Sequence, residues 1–258
     1  MTILPFFKYQ GTGNDFVIID NRETVFDDQN TELIARLCDR KFGVGSDGLI
    51  LIDHHSDYDF EMVYFNADGT RATCGNGARC AVDLAHRLGI IQTEACFTME
   101  DDPYEATWAD QQVRLRMVDV PEVQAYPDGL LLNTGTRHFV RFVENLSDLD
   151  VVDEGRPLRY EDRFAPIGAN INFTERHNGA IHMRIYEKGV EDETLSSGTG
   201  ATAVALAWSH THDVSSPIVV HTRGGVLTIS FERTSATSFA QVFMAGPAQM
   251  VFQGTVFV

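Results

Sequence analysis

Residues 196–203 read Ser-Ser-Gly-Thr-Gly-Ala-Thr-Ala, and residues 73–80 read Thr-Cys-Gly-Asn-Gly-Ala-Arg-Cys. The second residue of each stretch, Ser197 or Cys74, is followed by Gly-x-Gly-Ala and then by a helix-forming run. The same turn is written twice, with oxygen in one copy and sulfur in the other. Two further echoes keep the same order. Residues 12–17 (TGNDFV) resemble 134–140 (TGTRHFV) with one insertion, and 60–66 (FEMVYFN) resemble 181–187 (IHMRIYE). Asn14 precedes Cys74 by 60 positions and Thr136 precedes Ser197 by 61. Three echoes at matched distances point to an internal duplication.

Working outward from these stretches, each half reads as mostly strands around one main helix. VIID, GLILID, FEMVYF and VRLRMV are strand-like in the first half. HFVRFV, IHMRIY, PIVVHT, VLTISF and AQVFMA are so in the second. Helices are expected at 31–40, at 76–88 after Cys74-Gly75, and at 199–209 after Ser197-Gly198. The acidic stretch 146–163 reads as an exposed loop. Pro121 and Pro127 flank a weakly patterned segment, which gives two domains: residues 1–120 carrying Cys74 and residues 121–258 carrying Ser197. The last strand is free to return to the first lobe.

The bulk properties exclude several classes. With 20 Lys and Arg against 37 Asp and Glu, the net charge of −17 would repel a phosphate backbone or an anionic membrane. No apolar run reaches the ~18 residues needed to span a bilayer, and the N-terminus does not read as a secretion signal. A cytoplasmic protein is expected. The four cysteines (Cys38, Cys74, Cys80, Cys96) follow no secreted framework and read as free thiols. The nine histidines form no metal motif.

Gly43 to Gly48 satisfies G-x-G-x-x-G, but it follows a helix-like segment and feeds a strand, the reverse of the dinucleotide-binding order. The turn at Gly198 does open a helix, but an acidic loop precedes it, and the strand that follows ends in Thr222-Arg223 with no ribose-binding acid. A Gly-x-Gly turn at a helix start has a simpler use. It exposes backbone N–H groups with no internal partner, a small anion site suited to a carboxylate. The residue just before each turn would flank the bound anion. A thiol in that place has a raised thiolate fraction, which favours a functional role for Cys74. Cys80, well inside the helix, reads as packing, and Cys38 and Cys96 read as core residues.

Taken together, GTGNDFVIID, FGVGSDGLILI, FNADG…CGNGARC, GANINF and YEKGVEDETLSSGTGATA resemble the diaminopimelate epimerase family, in the family's order and over most of the chain. The resemblance implies an α/β (α+β) fold of two pseudo-symmetric lobes. Each would have mostly antiparallel strands wrapped round a central helix, with the active site in the cleft between them. It also implies a cofactor-independent amino-acid epimerase or racemase that inverts an α-carbon with two cysteines and acts in lysine and peptidoglycan precursor biosynthesis, taking LL- to meso-diaminopimelate. The expected partner is a small-molecule amino acid, with homodimerisation left open.

The chemistry fits that implication. Inversion needs a base on one face of Cα and an acid on the other, and a duplicated lobe supplies one residue to each. Without a cofactor to delocalise the carbanion, its own carboxylate must be stabilised by preorganised donors such as helix N-termini. Carried over residue by residue, Cys74 matches the first catalytic Cys, and Ser197 stands where the family has its second. Gly75, Asn76, Gly198 and Thr199 match the carboxylate-binding turns. Asn14, Asn66, Asn170 and Glu187 match substrate-contacting positions, and Lys188 stands where many members have Arg. A racemase of another polar amino acid, and an amino-acid-binding paralogue impaired in catalysis, are the competing readings.

Overall fold

The structure, a computed structural model, describes residues 3–258. The chain separates into two compact units, one made of the chain up to Leu115 together with Gly246–Val258, the other of Arg116–Ala245.

The first unit contains strands β1 (Ile3–Gly11), β2 (Asn14–Asp20), β3 (Gly48–Asp53), β4 (Phe60–Asn66), β5 (Glu94–Met99), β6 (Asp102–Ala109) and β7 (Gln112–Arg116), with helices α1 (Thr31–Cys38) and α2 (Gly75–Arg87). The second contains β8 (Gln124–Tyr126), β9 (Gly129–Asn133), β10 (Arg137–Phe142), α3 (Val151–Arg159), β11 (Asn170–His177), β12 (Ala180–Glu187), β13 (Asp192–Thr194), α4 (Gly198–His212), β14 (Ile218–Thr222), β15 (Gly225–Arg233) and β16 (Phe239–Pro247). The last strand, β17 (Gln249–Phe257), pairs antiparallel with β1 in the first unit.

The pairings repeat. In the first unit the order is β17-β1-β2-β3-β4-β5-β6-β7, antiparallel except for β2–β3 and β4–β5. In the second it is β8-β9-β10-β11-β12-β14-β15-β16, antiparallel except for β10–β11 and β12–β14. The parallel pairs fall at the same two places, so the three sequence echoes belong to two copies of one fold. The β1–β2 connection is Thr12-Gly13 and the β9–β10 connection is Thr134-Gly135-Thr136. The extra residue lies within the echo that needed an insertion.

Each sheet wraps a buried helix. Helix α2 packs against β1, β2, β3, β4, β6 and β17, and α4 against β9, β10, β11, β12, β14 and β15. Helix α4 is apolar or small nearly all round (GTGATAVALAW), as a helix enclosed on every side must be. Helix α2 is more polar, and its buried Asp83 is satisfied by Tyr9 Oη at 3.0 Å, Trp108 Nε1 at 2.8 Å and Arg87 Nε at 2.7 Å. Helices α1 and α3 lie against the sheets over separate apolar clusters, Phe26, Ile34 and Leu37 for α1 and Phe139, Phe164, Ile171 and Tyr186 for α3.

Two expectations are corrected. The acidic stretch 146–163 is no loop, since it contains α3. Asp150 caps that helix by accepting from Val152 N and Asp153 N, and Val151, Gly155 and Leu158 turn inward at helical spacing. Acidic composition hid an amphipathic face. Cys96, expected in the core, is exposed on β5, whereas Cys38 and Cys80 are buried.

Candidate functional site

Each unit presents a candidate site at the N-terminus of its central helix. Cys74 is the N-cap of α2, in extended backbone conformation, and its Sγ accepts from Gly77 N at 3.4 Å. Ser197 is the N-cap of α4, and its Oγ accepts from Gly200 N at 3.2 Å. Serine is among the preferred residues for this position, so Ser197 serves the helix independently of any chemistry. The caps' own carbonyls take the next N–H groups, those of Ala78 at 2.8 Å and Ala201 at 2.9 Å. The two N–H groups that helix geometry leaves for an external acceptor are those of Gly75 and Asn76 in one unit, and of Gly198 and Thr199 in the other.

The site of the first unit gathers Asn14, Cys74 and Asn76. Asn14 Nδ2 donates to Asp47 Oδ2 at 2.6 Å. A carboxylate only accepts, so this bond fixes the amide and turns Asn14 Oδ1 towards Cys74 Sγ, 3.6 Å away, and Asn76 Nδ2, 3.4 Å away. Asp47 is itself held by Asp15 N at 3.1 Å and Arg40 Nη2 at 2.7 Å. Burial opposes the charge of Asp15, but hydrogen bonds from Arg40 and Lys8 outweigh it and hold the carboxyl down to about 2. Asn76 is buried, and its Oδ1 has no hydrogen-bond partner among the described residues. Asn66 sits at the end of β4, where its Nδ2 donates to Thr70 Oγ1 at 3.0 Å and its Oδ1 accepts from Tyr64 Oη at 3.2 Å.

The site of the second unit gathers Ser197, Thr199 and Asn170 around a residue that sequence reasoning missed. His138, on β10, has no exposed surface, and its Nε2 lies 2.8 Å from Thr136 Oγ1 and 2.9 Å from Thr199 Oγ1. Asn172 Nδ2 bonds both the Phe139 carbonyl at 3.2 Å and His138 Nδ1 at 3.1 Å. The carbonyl can only accept, so Nδ1 of His138 is an acceptor and Nε2 carries the proton. Burial pushes the imidazole pKa down to about 3, against a smaller opposing effect of Asn172. Thr199 Oγ1 lies 3.4 Å from Ser197 Oγ. The single Nε2 hydrogen is shared between Thr136 and Thr199, either hydroxyl of the Thr199–Ser197 pair can donate, and the neutral imidazole leaves the serine hydroxyl with no charged base beside it. The signal in the sequence was the third residue of the echo, Thr136, two positions before His138.

Asn170 joins this group through its Nδ2, 3.2 Å from Thr136 Oγ1, while its Oδ1 accepts from Lys188 N at 2.8 Å. Glu187 ends β12 with Oε2 accepting from Thr194 Oγ1 at 2.7 Å. Lys188 is exposed, with Nζ 3.5 Å from the Ile167 carbonyl. Of the eleven residues expected from the sequence, Cys74, Gly75, Asn76, Ser197, Gly198 and Thr199 form the two helix starts, Asn14 reaches Cys74 and Asn76, Asn170 reaches Thr136, Asn66 and Glu187 end β4 and β12, and Lys188 follows β12.

Among the described residues no helix is long and apolar enough to cross a membrane. The family described as diaminopimelate epimerase matches residues 6–122 and again 130–251, one stretch in each half. The diaminopimelate epimerase of Flavobacterium psychrophilum is 46% identical over 257 residues, covering 98% of this chain and 100% of that protein. That of Chlorobaculum tepidum is 39% identical, covering 95% and 98%. Among solved structures, a phenazine biosynthesis protein of the PhzF family from Bacillus anthracis superposes with a TM-score of 0.79 at 13% identity, covering 100% of both chains. A hydroxyproline epimerase from Agrobacterium vitis does so with a TM-score of 0.67 at 15% identity, covering 98% of this chain and 92% of that one. These distant structures share the fold. The full-length relatives and the family match carry more: this chain belongs to the diaminopimelate epimerase family and is an isomerase.

Proposed function

We propose that the protein acts on diaminopimelate, binding its α-carboxylate at the two helix starts and exchanging the α-proton through Cys74. The observation that carries this reading is the matched pair of capped helix N-termini, each with two backbone N–H groups available to an anion. Charge developing on the substrate carboxylate as the proton leaves is stabilised by such preorganised donors. Cys74 is the base. Ser197 holds the equivalent position on the other helix and donates a hydrogen bond without abstracting a proton, because a serine hydroxyl supplies almost no anion near neutral pH and the nearby imidazole of His138 is buried and neutral. Asn66, Asn170, Glu187 and Lys188 recognise the distal amino-acid group, which needs both donors and an acceptor. With a second thiol in place of Ser197 the same half-sites would interconvert the LL and meso forms for lysine and cell-wall precursor synthesis.

A second reading, binding of an amino acid with impaired catalysis, is favoured by Ser197 alone. Proton NMR of diaminopimelate stereoisomers and a panel of polar amino acids in D₂O separates the two. Loss of the α-proton signal from one diaminopimelate stereoisomer supports the proposed function. Saturable binding with no α-proton exchange, retained in Ser197→Cys, supports the second reading. Exchange confined to a different amino acid moves the substrate and keeps the chemistry.

A further inference from the structure

The turn that follows β12 carries Lys188, Gly189 and Val190, and all three are exposed, so burial does little to fix them. Glu191 N closes the turn on the Glu187 carbonyl at 2.8 Å. Two of its residues lie in the left-handed region, Gly189 at φ 94° and Glu191 at φ 58°. That region suits glycine and disfavours a glutamate, which persists there where its surroundings over-determine it.

The side chain of Glu191 supplies those surroundings. Its Oε1 accepts from Gly189 N at 3.0 Å and lies 3.5 Å from Arg159 Nε. Its Oε2 accepts from Tyr160 Oη at 3.0 Å and from Tyr186 Oη at 3.2 Å. Burial opposes the charge of Glu191, but these hydrogen bonds and Arg159 outweigh it and hold the carboxyl below its usual range. The carboxylate therefore ties the turn to the end of α3, where Arg159 and Tyr160 stand, and to β12, where Tyr186 has no exposed surface. Three of the residues given to distal recognition meet at the same turn. Glu187 opens it, Lys188 N donates to Asn170 Oδ1 at 2.8 Å, and Lys188 Nζ lies 3.5 Å from the Ile167 carbonyl. Arg159 fills the space over Gly168, two residues before Asn170, where a Cβ would stand 1.7 Å from its Nη1. The corresponding turn after β4 in the first unit is held locally. There Asp68 Oδ1 accepts from Thr70 N at 2.9 Å and from Thr70 Oγ1 at 2.6 Å.

We infer that Glu191 is a positioning residue for recognition of the substrate's distal end: its carboxylate fastens the turn 187–191 to α3 and β12 and so fixes where Glu187 and Lys188 stand. The duplicated fold does not require this clamp, since the first unit closes its turn with local contacts. The clamp orders two long side chains before a ligand arrives, which lowers the entropy lost on binding. Helix α3 thereby gains a function: it carries two of the groups that hold the recognition turn.

The inference rests on the reading that Glu187 and Lys188 contact the distal group, and its test separates the two. Affinity of the full chain for meso-diaminopimelate is measured by calorimetry. Glu191→Gly removes the carboxylate and suits the left-handed backbone. It should weaken binding by about 10–100-fold, the cost of ordering two freed side chains on binding. In a Glu187→Ala, Lys188→Ala background it should cost nothing further, because Glu191 acts through those two residues. Where the α-proton exchanges, KM should rise with Kd while the rate at saturation stays the same. Unchanged affinity in Glu191→Gly, alongside a loss in Glu187→Ala, overturns the inference and leaves distal recognition standing. A further loss in the doubly substituted background, or a fall in the saturated rate, overturns it as well. No loss in either Glu187→Ala or Lys188→Ala, or no binding by the unsubstituted chain, defeats the reading of the site and the inference with it. Should Glu191→Gly not fold, Tyr160→Phe decides, since it removes one donor to Glu191 from an exposed side chain. It should weaken binding by about 2–10-fold, the worth of one hydrogen bond, with thermal unfolding unchanged. Unchanged affinity in that variant overturns the inference.

Discussion

The imidazole Nε2 of His138 lies 2.9 Å from the hydroxyl of Thr199 in the interior of the second unit, and Asn172 occupies the other ring nitrogen. The ring is therefore neutral in the folded protein, with a pKa held down to about 3 by burial. In the unfolded chain it titrates near 6.5. Between these values the unfolded state binds the extra proton, so the contribution of this group to stability is full above pH ~6.5 and is lost as pH falls. Denaturant unfolding should show a stability decline of up to about 1.4 kcal/mol per pH unit from His138 between pH ~6 and ~4. His138→Gln should lower stability near neutrality and flatten this slope. An unchanged slope would remove the neutral buried imidazole from the account.

Ser197 tests the sulfur–oxygen exchange directly. A serine hydroxyl supplies almost no anion near neutral pH, and here its oxygen accepts from Gly200 N at 3.2 Å. Cys74 should exchange the α-proton of one stereoisomer with retention, because the proton mostly returns where it left. Net inversion should be slower by about 10²–10⁴-fold than in Ser197→Cys. Cys74→Ser in the unsubstituted background should abolish exchange as well. NMR in D₂O together with chiral chromatography reads both. Full-speed inversion that Ser197→Cys does not improve would sink the role given to Ser197.

The two Gly-x-Gly turns should differ in their tolerance of a methyl group. A Cβ on Gly200 would stand 2.6 Å from Asn172 Oδ1, and Asn172 is pinned by His138 and the Phe139 carbonyl. A Cβ on Gly77 would meet Ile50 Cδ1 at 3.0 Å and Met62 Cε at 3.1 Å, the far ends of flexible side chains. Gly200→Ala should destabilise by about 1–3 kcal/mol and Gly77→Ala by about 1 kcal/mol or less. Thermal unfolding of the two variants side by side checks the order.

Glu187 is expected to pair the distal ammonium of a diamino acid. Its carboxylate is already held by the Thr194 hydroxyl at 2.7 Å, so it is oriented before any ligand arrives. Glu187→Ala should weaken binding of diaminopimelate by about 2–5 kcal/mol, as truncating one partner of a buried charge pair does. Calorimetry showing unchanged affinity would assign distal recognition to other groups.

Legibility in the sequence followed the locality of each signal. Helices α1, α2 and α4 were readable because a cap and a Gly-rich or polar start lie next to the residues they govern. Strands β3, β4, β12 and β15 were readable from apolar runs or alternation. Helix α3 was not, since its acidic residues dominate the composition and its inward face is only Val151, Gly155 and Leu158. Strand β17 keeps no buried face, with Val251, Phe252 and Phe257 exposed, so alternation did not mark it; its return to the first unit, left open by the sequence, is made by its pairing with β1.

The sequence by itself determined the duplication, the family, and the two residues, Cys74 and Ser197, that open the central helices. All of these are carried by short contiguous motifs. Only the tertiary structure decided what stands behind each of them. His138 reaches Thr199 across 61 positions, and Asp47 fixes Asn14 across 33. No local pattern records such pairs. Whether an arginine is a solvated surface charge or a buried cation, and whether a histidine titrates or stays neutral, depends on what distant strands place around it and how completely they exclude water.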